Sequence, residues 1–255
     1  LRRHTDLAGK TLHNIRTTLR AFWRWVARRE KKVEVPEFPE IRYTLGWRRI
    51  VSKETQAAIL EEVRRISWDI NPRIYIGILW LATYPNVRPL ELIHVREEDI
   101  DLENGLVVIT HNKVPNQYKR LYLLEEDVAL VRSMPRGLPK AYFFRHEHRR
   151  GLPTVKLGRF GKDYLYTWWK RACKGLGIKD VDLYGGTRHS TVTALGERFT
   201  PEEIMGDGSG HTTNKAFARY FQIRAEQRRA VSAHARPAHY LHLKKEQAEE
   251  PNRKE

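Results

Sequence analysis

YGGTRHSTVTALGERFTPEEIMGDGSGHTTNKAFARY, residues 184–220, is the stretch around which the chain is organised. It holds an Arg-His pair at Arg188 and His189 and a second histidine behind glycine at Gly210-His211. A tyrosine, Tyr220, follows His211 by nine residues. Taken singly, each has an ordinary explanation. Tyr220, three residues after Phe217 and beside Phe221, has the spacing of a core aromatic, and a lone histidine is most often structural. Local signals predict a helix over 188–198 after a Gly185-Gly186 turn. A capping box at Thr200-Pro201-Glu202-Glu203, with Pro at the first helical position, opens a short second helix. Gly206, Gly208 and Gly210 then predict a flexible turn before His211, and 213–233 a last strong helix.

Two more cations come from upstream. Residues 72–84, PRIYIGILWLATY, are apolar nearly all round, which predicts a buried central helix. Asn86-Val87-Arg88-Pro89 breaks it, and Pro89 suits the first position of a new helix, so Arg88 stands at a helix junction. Residues 105–124 read as a hairpin: Leu106 to Ile109 form one strand, and Tyr118 to Leu124, with basic Lys119 and Arg120, the other. The connection HNKVPNQ carries Lys113 and turn residues.

Outward from these, residues 10–30 predict a helix with Leu12, Ile15, Leu19, Phe22, Trp23 and Val26 on one face and Arg16, Arg20, Arg24 and Arg28 on another. A stripe of that kind is commonly a solvated surface; the charge of this chain favours phosphate contacts. Residues 34–51, with two prolines and little periodicity, predict a linker. Ser52 is the expected N-cap of a helix whose inner face is Ile59, Leu60, Val63 and Ile66. Residues 125–133 predict a short helix with an acidic first turn. Residues 135–157 predict a basic loop that touches DNA or solvent, and 160–175 an amphipathic helix stopped by Gly175 and Gly177. The pair His146 and His148 lacks the spacing of a helical zinc site. From Arg236 the chain is polar and charged, as expected of a disordered or partner-dependent tail.

Composition bounds the class. Lys+Arg 47 against Asp+Glu 31 gives a formal charge of +16 over 255 residues, which favours a polyanion and above all nucleic acid. No apolar run approaches the ~20 residues of a membrane span. The single cysteine, Cys173, excludes an intrachain disulfide and any multi-cysteine zinc site, and suits a reducing cytosol. The chain begins at Leu1 within an apparently helical region, so a missing N-terminal part is expected.

The order Arg at a helix junction, Lys in a following hairpin, Arg-His opening a helix, Gly-His, then Tyr resembles the tyrosine recombinases, the phage-integrase family of site-specific DNA recombinases. The resemblance runs from about residue 10 to about 235. Its first box is matched by VRPLEL, with Arg88 and Glu91 in register; its hairpin lysine best by Lys113, with Lys119 a weaker candidate. The second-box arginine is matched by Arg188 in TRHS, the third-box histidine by His211 in GHTT, and the nucleophile by Tyr220 in ARYF. Two departures stand out. The family commonly has H-x-x-R-H in the second box, where this chain has Gly185, with Tyr184 as a possible substitute. The first box reads Y-P-N-V-R without the usual T-G.

The resemblance implies a mainly α fold with a small antiparallel β-sheet (α+β). The expected division is the end of a helical core-binding domain (1–33), a linker (34–51), a catalytic domain (52–235) and a charged tail (236–255). It implies DNA cutting and rejoining through a covalent 3'-phosphotyrosyl link from Tyr220. Arg88 and Arg188 would clamp the non-bridging oxygens, His211 would add a hydrogen bond, and Lys113 would protonate the leaving 5'-oxygen. No metal or other cofactor is expected. DNA contacts are expected from Arg16, Arg20, Arg24, Arg28, Lys119 and Arg120. The expected partner is double-stranded DNA, bound by a homotetramer on two sites, with a monomer off DNA. The expected location is cytoplasmic, in a prokaryote or on a phage or mobile element, and no membrane is involved. The rival readings are a type IB topoisomerase and a DNA-binding protein on this fold without catalysis.

Overall fold

The structure is a computed structural model that describes residues 7–44, 46–111, 118–147, 158–209, 217–218 and 229. Lys113, His148, His211, Tyr220, nearly all of the helix expected over 213–233, and the tail 236–255 lie outside the described residues. The chain divides into two compact units, Leu1–Trp47 and Arg48–Glu255. The division falls inside the segment 34–51 read as a linker.

The first unit is one helix with a returning extended segment. Helix α1, Gly9–Arg29, has Arg28 and Arg29 in its last turn, where cations complement the helix dipole. The return runs close to its first turns. Lys10 donates to the Tyr43 hydroxyl at 2.9 Å, the His13 and Tyr43 rings lie 4.9 Å apart, and Arg16 Nη2 donates to the Phe38 carbonyl at 3.0 Å. Arg16 is therefore partly spent inside its own unit, whereas Arg20, Arg24 and Arg28 are exposed. No described residue of α1 is buried, and Phe22 and Trp25 are about half exposed, so the apolar face read from the sequence is not a core face within this unit.

The second unit is mainly helical. Ser52 caps helix α2, Lys53–Ser67, accepting from the Thr55 amide at 3.2 Å. Asn71 caps α3, Pro72–Thr83, with Pro72 in the first turn, and eight of the twelve α3 residues are buried. The all-round apolar pattern of α3 is thus a central element, packed between α2 and α6, Tyr164–Gly175. Burial of each large α3 side chain is worth roughly 1.5–3 kcal/mol. Helix α4, Pro89–Leu92, follows Arg88, and a 3-10 turn, Glu97–Asp99, leads into the sheet. Strands β1 (Ile100–Asp101), β2 (Leu106–Ile109) and β3 (Lys119–Tyr122) pair antiparallel in the order β1-β2-β3, with Val107 opposite Leu121 and Ile109 opposite Lys119. The hairpin expected over 105–124 is present, with β1 added at its other edge. Helix α5, Glu125–Arg132, has Glu125, Glu126 and Asp127 in its first turn.

Three sequence expectations are corrected. Residues 141–147 are not a solvated basic loop: Phe143 and Phe144 are 1% and 0% exposed, Phe143 stacked on the Trp80 ring and Phe144 edge-on to it. The charges beside them are paired instead. Glu97, itself buried, meets Arg145 Nη1 at 2.5 Å and Arg136 Nε at 2.9 Å, and fully buried Arg73 pairs with Glu147 and donates to the Pro135 carbonyl. The glycines of 185–186 form no turn. Gly185–His189 is a π-helical turn that runs directly into α7, Ser190–Leu195. Gly206 and Gly208 likewise lie in a π-helical continuation, Ile204–Ser209, of the short helix α8, Pro201–Glu203, whose capping box at Thr200 forms as read.

Candidate active site

Arg88 is placed by purely local chemistry. It takes the N-cap position of α4 with extended φ and ψ, and Pro89 fixes the first helical position. Its amide donates to Glu91 Oε2 at 3.0 Å, and its guanidinium Nη1 donates to Glu91 Oε1 at 2.8 Å. One buried carboxylate therefore orients both the backbone and the side chain of Arg88. The guanidinium remains about a third exposed, so it can also reach a ligand.

β3 brings a second cation to the same carboxylate. Lys119 Nζ donates to Glu91 Oε2 at 2.6 Å and to the Asn86 carbonyl at 3.0 Å. Burial opposes the Glu91 charge, yet hydrogen bonds from Lys119 and Arg88 outweigh it and hold the carboxyl below the usual carboxylate range. Lys119 is pushed below the ordinary lysine value. Burial is the largest cause, and the like charges of Arg88 and Arg188 add to it, while Glu91 pulls the other way. The charge of Arg188 therefore bears on the same ammonium as that of Arg88, and Arg88 and Lys119 share Glu91 as their common carboxylate.

Arg188 is 3% exposed on the π-helical turn, and the turn is latched from three sides. Gln56 Nε2 of α2 donates to the Gly186 carbonyl at 2.7 Å and to Thr191 Oγ1 at 3.2 Å. Thr191 in turn donates to the Ala82 carbonyl of α3 at 2.6 Å. The Ser190 hydroxyl donates to the Gly185 carbonyl at 2.7 Å and accepts from the Val51 amide at 2.9 Å. Sequence reading missed Gln56, because nothing local marks a glutamine whose partners lie about 130 residues away. His189, also buried, is pushed down to about 4, first by burial and then by the charge of Arg48; it is therefore neutral near pH 7.

The departure in the second box has a steric basis. A Cβ on Gly185 would collide with the Arg49 carbonyl, and one on Gly186 with the Trp169 ring. A histidine cannot occupy position 185 on this backbone. Tyr184 is partly buried, with the Arg48 guanidinium over its ring at 5.5 Å, and Arg48 is paired with Asp182. Arg120, opposite Val108 and on the face away from Lys119, is exposed.

Against solved structures, the chain superposes on XerH recombinase bound to a palindromic difH substrate with TM-score 0.65 at 17% identity, covering 90% of this chain and 66% of that one. It superposes on the Tn1549 transposon integrase in complex with transposon right end DNA with TM-score 0.64 at 14% identity, covering 91% and 81%. The chain has the tyrosine recombinase fold. A relative in sequence to this recombinase-fold chain is the "Putative integrase/recombinase y4gC" of Sinorhizobium fredii (strain NBRC 101917 / NGR234). The two are 28% identical over 187 residues, 72% of this chain and 93% of that protein. No protein-family model matches the sequence. Within this fold Arg88 and Lys119 meet at the Glu91 carboxylate, and the charge of Arg188 bears on the same ammonium.

Proposed function

We propose that this chain is a site-specific DNA recombinase that cuts and rejoins double-stranded DNA through a covalent 3'-phosphotyrosyl intermediate on Tyr220. The observation that carries the reading is the Arg88–Glu91–Lys119 cluster with Arg188 in electrostatic reach, on a tyrosine recombinase fold. Phosphodiester transesterification builds negative charge on the non-bridging oxygens, and preorganised guanidiniums stabilise that charge without reorganisation. Arg88 and Arg188 take that role, and His211 adds a hydrogen bond. The Tyr220 phenolate attacks phosphorus and the 5'-oxygen leaves, so one P–O bond forms as one breaks and its energy is kept in the phosphotyrosine. Lys119 is already committed to Glu91 and the Asn86 carbonyl, so we assign protonation of the leaving oxygen to Lys113. Lys119 then serves to hold Glu91, and through it Arg88.

Named relatives of this fold, such as XerH and the Tn1549 integrase, are described in complex with DNA, which supports DNA as the partner. By the same likeness we propose four protomers on two duplexes. The domain assignment follows: a helical DNA-contacting part before about residue 48 and a catalytic part after it.

The test is a suicide-substrate assay. The protein is incubated with nicked duplexes from its native attachment region, and an SDS-resistant protein–DNA adduct is sought. The adduct is expected with the native chain and absent in Tyr220→Phe, with DNA binding kept. Tight binding to the cognate site without an adduct would move the reading to a non-catalytic binder, for which the side-chain-free Gly185 position would be the structural reason.

A further inference from the structure

Two histidines that take no part in the chemistry above meet beside the hairpin. His94 follows α4 by two residues, and His111 follows β2 by two. Their rings stack with centroids 3.8 Å apart and planes at 28°. His94 Nδ1 lies 2.6 Å from the Leu90 carbonyl. A carbonyl can only accept, so Nδ1 carries the proton and the tautomer is fixed, leaving Nε2 as the basic nitrogen. The stack thus joins the end of β2 to the α4 segment. Ile109, two residues before His111, is paired with Lys119, and Lys119 reaches back to Glu91 in α4. The β2–β3 ribbon is held to α4 at two points, one aromatic and one ionic.

We propose that the His94–His111 stack is a proton-sensitive fastener that positions the β2–β3 ribbon, and with it Lys119, against the Arg88–Glu91 pair. Both histidines are positioning residues and touch no reacting atom. When at most one imidazole is charged, the rings stack. When both are charged, two cations face each other across 3.8 Å and the fastener opens. Among the described residues, the groups facing His94 are His111 from the end of β2, Arg159 from the segment before α6, and Tyr142, whose ring carries Arg96 on it. None supplies negative charge. Burial first, then Arg159 and His111, hold His94 below the ordinary histidine value, so the doubly charged state belongs to acidic solution.

The functional part of this inference rests on the recombinase reading; the coupling itself does not. Proton NMR titration of the two imidazoles in the full chain tests the coupling directly. His111→Phe keeps a stacking ring and removes its charge, so His94 is expected to titrate at a higher pH in that variant. An unchanged His94 titration would overturn the proposal whether or not the chain cleaves DNA. The second arm is the pH profile of adduct formation on the nicked duplex. His111→Phe is expected to extend activity to lower pH, and His111→Ala, which removes the stack, to lower the rate about tenfold at pH 8. An acid limb in His111→Phe superimposable on that of the native chain would overturn the positioning role. If the native chain forms no adduct, the recombinase reading fails while the NMR arm still decides the coupling.

Discussion

His189 follows Arg188 on the π-helical turn, 5% exposed and pushed down to about 4 from an ordinary 6.5. Its consequence is a pH dependence of stability. In the unfolded chain it takes up a proton as pH falls through 6.5, whereas in the folded chain it does so only near 4, so the unfolded state binds more protons between these values. Stability is full above pH 6.5 and is lost as pH falls toward 4, by about 2 kcal/mol between pH 7 and pH 5. Denaturant unfolding of native and His189→Gln chains at both pH values checks this, with the native chain expected to lose about that much more. At this scale the sequence was partly legible. Arg88 could be read because its determinants, Asn86 and Pro89, are adjacent to it. The contact of Lys119 with Glu91 was not legible, because strand register, which sets what a hairpin residue faces, is not written in the hairpin itself. Arg73 sits in an otherwise apolar run, and its burial depends on Glu147 and the Pro135 carbonyl, far along the chain.

Among elements, the π-helical turn is the one most shaped by tertiary packing. Gly-Gly before Thr-Arg-His reads locally as a turn, since glycine is the residue of choice for left-handed conformations. Here both glycines are helical, and what they supply is the lack of a side chain where Arg49 and Trp169 come close. Gly186→Ala is therefore expected to destabilise the fold by about 2–3 kcal/mol, as overpacking does, seen as a lowered Tm in calorimetry. Gly185→His, which restores the family's common motif letter by letter, is expected to be destabilising as well and to reduce the phosphotyrosyl adduct. An increased adduct in that variant would refute the steric account. The same physics hid Phe143 and Phe144: in FFRHE the adjacent charges signal solvent, while Arg145 and Glu147 are paired with the buried Glu97 and Arg73. Helix starts at Ser52, Thr200 and Pro89 were legible because a helix start is a matter of three or four consecutive residues.

On the scale of the whole molecule, a formal charge of +16 sets the expected behaviour toward DNA. Binding should weaken about 10³- to 10⁵-fold between 50 and 200 mM salt if roughly six to ten phosphates are neutralised. Replacing Arg20, Arg24 and Arg28 together by Gln is expected to lower the magnitude of the salt slope by about 2–3, read from fluorescence anisotropy at several salt concentrations. An unchanged slope would assign the exposed stripe of α1 to solvent. Fold class was readable at this scale because periodicity, charge and motif order agree; the division at Trp47–Arg48 was less so, since residues 48–51 look like linker yet carry Arg48, Arg49 and Val51 into contacts with the 179–190 region. The close approach of the Arg49 carbonyl to Gly185 also bears on descent. No single codon change can install a working histidine there, because the segment around residue 49 must move first, and that movement brings nothing while glycine remains. A side chain at 185 is therefore expected to be tolerated only together with a second change that moves the segment around residue 49.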